Sequence, residues 1–281
     1  MCAFQEVLGD KTIAILGAGK IGTAMIRSLR GVAGSILATG RRDETLSKAE
    51  ELGAVALKDN ARAASMADII IVSVKPYQLP VVIRDIMGHV EGKIVVSVAA
   101  GVRKATIARR LPGAIVFRAM PNINALIGMS TTAIVEGDYS PEHRLMVEAV
   151  FRSMGTIYWI PEEWIDTWTG LVGSGPAYLA EIIDGLVLGA VSMGLPRDVV
   201  YKAVLDTFKA TAELLARNGK HPAVIRDEVT TPAGTTIHGL KVLESRGVKS
   251  ALMDIVEASS RRGKELAKEI DAAVDNALSE G

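Results

Sequence analysis

Cysteine is all but missing from this chain. Cys2 is the only one in 281 residues, so no internal disulfide can form, which fits a reducing compartment and a cytoplasmic protein. No catalytic pattern surrounds Cys2, and it reads as an inert terminal thiol rather than a nucleophile. An excess of one charge is missing too: 32 basic side chains meet 32 acidic ones. A nucleic-acid binder usually carries a basic surplus or stripe, whereas Arg41-Arg42, Arg109-Arg110 and Arg261-Arg262 are short and scattered. No His/Cys cluster has metal-ligand spacing. Residues 1–10 include Glu6 and Asp10 and hold no apolar core of signal-peptide length. An uninterrupted apolar run of membrane-spanning length, about 20 residues, is lacking as well. The most apolar stretch, Pro176 to Met193, is broken by Glu181, Asp184 and Gly185. It is expected to be a buried helix, apolar nearly all round, that needs cover on most sides. A small domain cannot supply that cover alone, so a subunit interface is expected there. Nucleic acid, metal and membrane are not expected partners.

What is present begins with alternation. Short β-branched runs at Lys11–Leu16, Ser35–Ala38, Ile69–Val74, Ile94–Val98, Ile115–Ala119 and Thr132–Val135 alternate with helical segments at Gly22–Leu29, Asp43–Leu52, Tyr77–Met87, Lys104–Arg110 and Pro141–Met154. The runs IAIL, IIIVSV and IVVSV are apolar on both faces, which predicts a buried parallel sheet with helices on either side. Strand signals stop near Trp159. Helices are then expected from Pro176 to Gly194, from Pro196 to about Arg217, from Thr231-Pro232 to near Gly247, and from Ser250 to Leu278. The fold class is therefore α/β: a Rossmann-type doubly wound domain over residues 1–162, followed by an all-helical domain over residues 163–281.

Gly17-Ala18-Gly19-Lys20-Ile21-Gly22 follows the first strand, at Leu16, and opens a helix. GxGxxG alone is weak; in this context each glycine has a task. Gly17 permits the tight turn, Gly19 lets the backbone approach a pyrophosphate, and Gly22 lets helix and strand pack closely. The anion would meet the N–H groups and dipole of the helix start. The second strand ends in Gly40-Arg41-Arg42, without the acid that usually binds the ribose 2′-OH of NAD. Two guanidiniums suit a 2′-phosphate, so the expected cofactor is NADPH, with NADH possible. The alternative for this pair is a solvated surface.

The reacting end of a cofactor would lie beside Val74-Lys75-Pro76, Val98-Ala99-Ala100-Gly101 and Met120-Pro121-Asn122, where later strands end. Small residues at Ala99 and Ala100 would let a nicotinamide lie against backbone, and Asn122 would hydrogen-bond it. Lys75 is either a charge near the cofactor or a strand-end lysine in solvent. Thr231 and Pro232 are a plausible N-cap and first helical residue. The N–H groups of Ala233, Gly234, Thr235 and Thr236 would then be open donors for a carboxylate, with the Thr235 and Thr236 hydroxyls beside them. The bland alternative is a well-capped helix. His238 falls one turn further on and can be structural, and no strong acid or base stands near. That poverty fits reduction of a protonated imine, already an electrophile, better than oxidation of an alcohol.

These residues resemble the pyrroline-5-carboxylate reductases over nearly the whole length, from about Lys11 to Leu278. The matching motifs are GAGKIG at Gly17, VKP at Val74, VSVAAGV at Val96, RAMPN at Arg118, GLVGSGPAY at Gly170 and TTPAGTTIHGL at Thr230. The resemblance implies NAD(P)H-dependent reduction of Δ1-pyrroline-5-carboxylate to L-proline. It also implies a C-terminal domain that intertwines with a second subunit, in dimers often assembled into a ring of five. By position it implies that the Thr236 hydroxyl approaches the pyrroline nitrogen and that Gly234 and Thr235 bind the carboxylate. It places Glu162 on the substrate side and Asn60 near the adenosine ribose. The chain departs from the family at Ile123-Asn124, where Thr-Pro is common, at Met129-Ser130, and at Ala233, where glycine is frequent. A β-hydroxyacid dehydrogenase shares this two-domain plan but needs a lysine on the first helices of the second domain. Residues 169–193 contain none. A non-catalytic NADPH-binding oligomer is the other alternative.

Overall fold

The computed structural model describes residues 2–279. In chain order the elements are α1 (Cys2–Leu8), β1 (Thr12–Leu16), α2 (Lys20–Leu29), β2 (Ser35–Thr39), α3 (Asp43–Glu51), β3 (Val55–Leu57), α4 (Asn60–Met66), β4 (Ile69–Val72), α5 (Leu79–Ile86), β5 (Ile94–Ser97), α6 (Lys104–Ala108) and β6 (Ile115–Met120). They continue through β7 (Ser130–Val135), α7 (Pro141–Arg152), β8 (Gly155–Ile160), α8 (Ile165–Trp168), α9 (Gly175–Ser192), α10 (Arg197–Asn218), α11 (Pro222–Val229), α12 (Thr235–Ser245) and α13 (Val248–Ser279). The Cys2 side chain lies outside the described residues.

One eight-stranded sheet runs in the order β3-β2-β1-β4-β5-β6-β7-β8. Its first six strands are parallel in the Rossmann order, β7 runs antiparallel to β6, and β8 is parallel to β7. Alternation along the central strands builds two cores. Ile13, Ile15, Ile69 and Ile71 face Met25, Ile26, Val147 and Phe151; Ala14, Leu16, Ile70 and Val72 face Leu79, Ile83, Val274 and Leu278. The six strand segments expected from the sequence are all present. β3, β8, α1, α4 and α11 were not foreseen. β8 alternates exposed and covered residues and ends its sheet.

The division of the chain differs from the expected break at 162/163. The sheet unit continues to Ser174 and takes the chain back at Ser259, while Gly175–Ala258 form a second, helical unit. The return is fixed by the last turns of α13, where Val274 and Leu278 join the sheet core. Asp271 accepts from the Arg103 N–H at 2.9 Å and Asp275 from Arg109 at 3.0 Å.

The helix over Pro176–Met193 is not buried within the chain. Of α9 only Val187 is covered, while Leu179, Leu186 and Leu188 are about half exposed. By length and composition the continuous helix from Glu162 to Ser192 would also pass as a membrane span. Pro176 does not open it: α8 runs through a π-helical turn at Thr169–Gly173 straight into α9. Trp164 is 60% exposed, while Trp168 packs on Tyr158 at 5.4 Å.

Candidate active site

The register of the sheet lines up one row of residues at its C-terminal edge: Thr39, Leu16, Val72, Ser97 and Arg118. The cofactor residues expected from the sequence follow directly after it on their strands, at the edge where ligands of doubly wound sheets bind. Leu16 is buried, and the chain then turns at Gly17, whose φ is +100°. A Cβ there would stand 2.7 Å from Val74 Cγ1 and 2.9 Å from the Ser73 carbonyl. The N–H groups of Gly17 and Ala18 donate to the Thr39 carbonyl at 3.2 and 2.8 Å. Gly22 sits so close to this turn that a Cβ would overlap the Gly17 carbonyl oxygen. Gly19 is the opposite case, with nothing within 4 Å of a Cβ built on it. It caps α2 without a side-chain partner. Among the described residues no backbone carbonyl accepts from Gly19, Lys20, Ile21 or Gly22. Open space in front of bare donors at a helix start fits a diphosphate.

At the end of β2, Gly40 lies against Thr45, and Arg41 and Arg42 are exposed with no ion pair among the described residues. The nearest acid, Asp43, is already held by Lys58 at 2.7 Å. Asn60 begins α4, takes a hydrogen bond from the Thr39 hydroxyl at 2.7 Å and donates to Asp85 at 2.9 Å. Those two bonds fix the Asn60 amide beside the end of β2. Lys75 is exposed, and its N–H donates to Gln78 at 3.2 Å across the turn that Pro76 opens. Ala99 is buried, while Val98 and Ala100 are partly covered. Gly101, with φ +77°, lets α13 approach: a Cβ would stand 3.4 Å from the Ala267 Cα.

Asn122 carries more structural duty than the sequence suggests. It is buried; its Oδ1 accepts from the Thr131 N–H and its Nδ2 donates to the Val172 carbonyl, both at 3.3 Å. Val172 stands four residues before Pro176, which has no N–H to give it. The amide of Asn122 supplies the missing donor.

Glu162 follows β8. Its Oε1 accepts from the Lys104 N–H at 2.8 Å and from Arg118 at 3.1 Å. Glu162 and Arg118 line a pocket of about 500 Å³ together with Asp166, Lys264 and Lys268. Burial pushes the Asp166 carboxyl up from its ordinary range, against the pull of Arg118.

In the helical unit, α12 does not begin at Pro232. Thr231 to Gly234 form a turn closed by Gly234 N–H to Thr231 O at 3.1 Å, and Gly234 is the N-cap. Ala233 is the cause: its φ of +55° is left-handed, a conformation no helix start can include and one that costs a non-glycine residue about 1–2 kcal/mol. The open donors are thus those of Thr235, Thr236 and Ile237, while Ala233 and Gly234 belong to the turn. Gly234 leaves no room for a Cβ against the Thr231 hydroxyl. His238 is structural, its Nδ1 at 2.9 Å from the Gly234 carbonyl, which the ring must donate to. Thr23, Thr169, Thr207 and Thr230 all turn their hydroxyls back to a carbonyl four residues earlier. The hydroxyls of Thr235 and Thr236 have no partner among the described residues.

Residues 162–266 match the family model described as pyrroline-5-carboxylate reductase dimerisation, and residues 12–101 match that of the coenzyme F420-dependent NADP oxidoreductases. The pyrroline-5-carboxylate reductase of Thermus thermophilus is 38% identical over 90% of this chain and 98% of its own. That of Synechocystis is 40% identical over 75% of this chain and 79% of its own. Among solved structures, the Streptococcus pyogenes 1-pyrroline-5-carboxylate reductase has a TM-score of 0.83 at 28% identity, covering 92% of this chain and 99% of that one. The Plasmodium falciparum enzyme with NADP bound also has 0.83, at 24% identity and the same coverage, and bears on the fold. The dimerisation match supports an oligomer. On sequence and fold together, the chain belongs to the pyrroline-5-carboxylate reductase family.

Proposed function

We propose that this protein reduces Δ1-pyrroline-5-carboxylate to L-proline with NADPH. The observation that carries the reading is the start of α12: three backbone N–H groups and two threonine hydroxyls without partners among the described residues, at a helix N-terminus that favours an anion. The amides of Thr235 and Thr236, with Gly234 and Thr231 shaping the turn, hold the ring carboxylate. The Thr236 hydroxyl bonds the ring nitrogen. The substrate's C=N is protonated and so already an electrophile; NADPH, when bound, would supply the hydride to its carbon, the C=N electron pair passing to nitrogen and the amine taking a proton from solvent. The residues from Leu16 to Gly22, Asn60, Val74 to Pro76, Val98 to Ala100 and Asn122 bind the dinucleotide, which supplies the hydride when present. The open space at Gly19, in front of the bare N–H groups of α2, supports this assignment.

The assembly is a homodimer, with a decamer of five dimers as its larger form, and a second copy covers the exposed apolar face of α9. The protein is cytoplasmic and needs neither membrane nor nucleic acid. Mixing it with NADPH and pyrroline-5-carboxylate should consume nicotinamide absorbance at 340 nm, on the order of 10 turnovers per second for a typical enzyme. No consumption above the substrate-free control would remove the reading.

Arg41 and Arg42 supply the choice of cofactor. Replacing both with alanine should leave NADH turnover near its original level and weaken NADPH by about 10-fold or more, since charge-assisted bonds to a phosphate are lost. An unchanged ratio of kcat/KM for the two cofactors would refute the phosphate assignment.

A further inference from the structure

β2 and β3 run parallel with Thr39 beside Leu57, so Gly40 and Lys58 leave the edge of the sheet side by side. From there β2 leads to Arg41 and Arg42, and the next residue, Asp43, opens α3. A free carboxylate at that place works against a 2′-phosphate in two ways. It repels the phosphate, and it is an acceptor for the ribose hydroxyl that NADH carries instead. Lys58 reaches across from the end of β3 and pairs with Asp43 at 2.7 Å. Its ammonium holds the Asp43 carboxyl below the ordinary range. Among the described residues no other cation pairs with Asp43, although two arginines precede it in the chain. The pair is not a support of the fold. Its side chains are 70% and 83% exposed, and ion pairs this open add little stability. What the pair changes is the local field. With Asp43 neutralised, no free carboxylate follows directly on the guanidiniums of Arg41 and Arg42. Glu44, the other acid of this turn, stands about 100° further round α3.

We propose that Lys58 is a specificity-determining residue for the cofactor: by pairing with Asp43 it cancels an acid that would otherwise disfavour the 2′-phosphate of NADPH. This deepens the reading that Arg41 and Arg42 take that phosphate, and it rests on that reading. Lys58 acts through Asp43 and needs no contact of its own with the dinucleotide.

Dissociation constants of NADPH and NADH test it, read by nucleotide fluorescence on the full-length protein without substrate. Lys58→Gln should weaken NADPH about 5-fold, the size of a single charge acting through water at close range, and leave NADH as tight as before or tighter. Adding Asp43→Asn to that variant should bring the ratio of the two constants back to within about twofold of wild type, because the interfering carboxylate is gone. Lys58→Arg keeps the charge and should keep the ratio. All three proteins should melt like wild type, since the pair is exposed. An unchanged ratio in Lys58→Gln overturns the proposal. A double variant that stays as weak for NADPH as Lys58→Gln overturns it too, because Lys58 would then be a phosphate ligand in its own right. If alanine at Arg41 and Arg42 leaves the ratio unchanged, the phosphate assignment falls and this proposal with it. If those two changes lower the preference for NADPH while Lys58→Gln does not, this proposal falls alone.

Discussion

Thr236→Ala is expected to lower kcat by about 10- to 100-fold, because the hydrogen bond proposed for its hydroxyl at the ring nitrogen would be lost. No histidine, cysteine or carboxylate is paired with this hydroxyl among the described residues, and His238 spends a ring nitrogen on the Gly234 carbonyl. The loss corresponds to about 1.4–2.7 kcal/mol of transition-state stabilisation. Thr236→Ser should keep most of the rate, since it keeps the hydroxyl. Thr235→Ala should act mainly on KM, since the Thr235 side chain stands beside the carboxylate site and its amide survives the change. NADPH affinity should be unaltered in all three, because the residues proposed to bind the dinucleotide belong to the sheet unit. Steady-state kinetics on the purified variants separate these outcomes. Wild-type turnover in Thr236→Ala would exclude the role given to it.

Much of the sheet unit was legible because its signals are local. β1, β4 and β5 are apolar on both faces, a pattern that only a covered parallel strand requires. The glycine loop was legible because each glycine answers a different steric demand at known spacing. Other features depend on partners distant in the chain. β8 was hidden because its register is set by pairing with β7, and half its side chains face outward. The start of α12 was placed three residues early because Thr231 and Pro232 have the preferences of a cap and a first turn. The left-handed backbone at Ala233 overrides them. Asn122 looked like a nicotinamide ligand alone, since nothing in the sequence links it to the carbonyl that Pro176 leaves without a donor. A signal for Arg118 did exist: an arginine inside the run IVFRAM needs a buried partner, but its identity as Glu162 required the fold. Hydropathy correctly marked α9 as a helix wanting cover; it does not distinguish cover within the chain from cover by another copy.

Gly19→Ala and Gly22→Ala should part company although they lie in one turn. A Cβ at Gly22 meets the Gly17 carbonyl, which is backbone and cannot swing aside. Such overpacking costs about 1–3 kcal/mol. At about 2–4 °C per kcal/mol for a chain of this size class, the melting temperature of the cofactor-free protein should fall by several degrees. Gly19 has no positive φ, at −73°, and nothing within 4 Å of a built Cβ. The alanine therefore fits the cofactor-free fold, at a loss of about 0.5–1 kcal/mol for a poorer N-cap. Its methyl instead occupies the space in front of the bare N–H groups of α2, where a diphosphate must come close. Gly19→Ala should melt within about 4 °C of wild type yet bind NADPH about 10- to 100-fold more weakly, as expected when a ligand is pushed off several charge-assisted hydrogen bonds. Calorimetry gives the first quantity and fluorescence titration the second. A Gly19→Ala protein that binds NADPH as tightly as wild type would place the diphosphate elsewhere. A Gly22→Ala protein that melts normally would mean that strand and helix do not meet as closely as the structure has them.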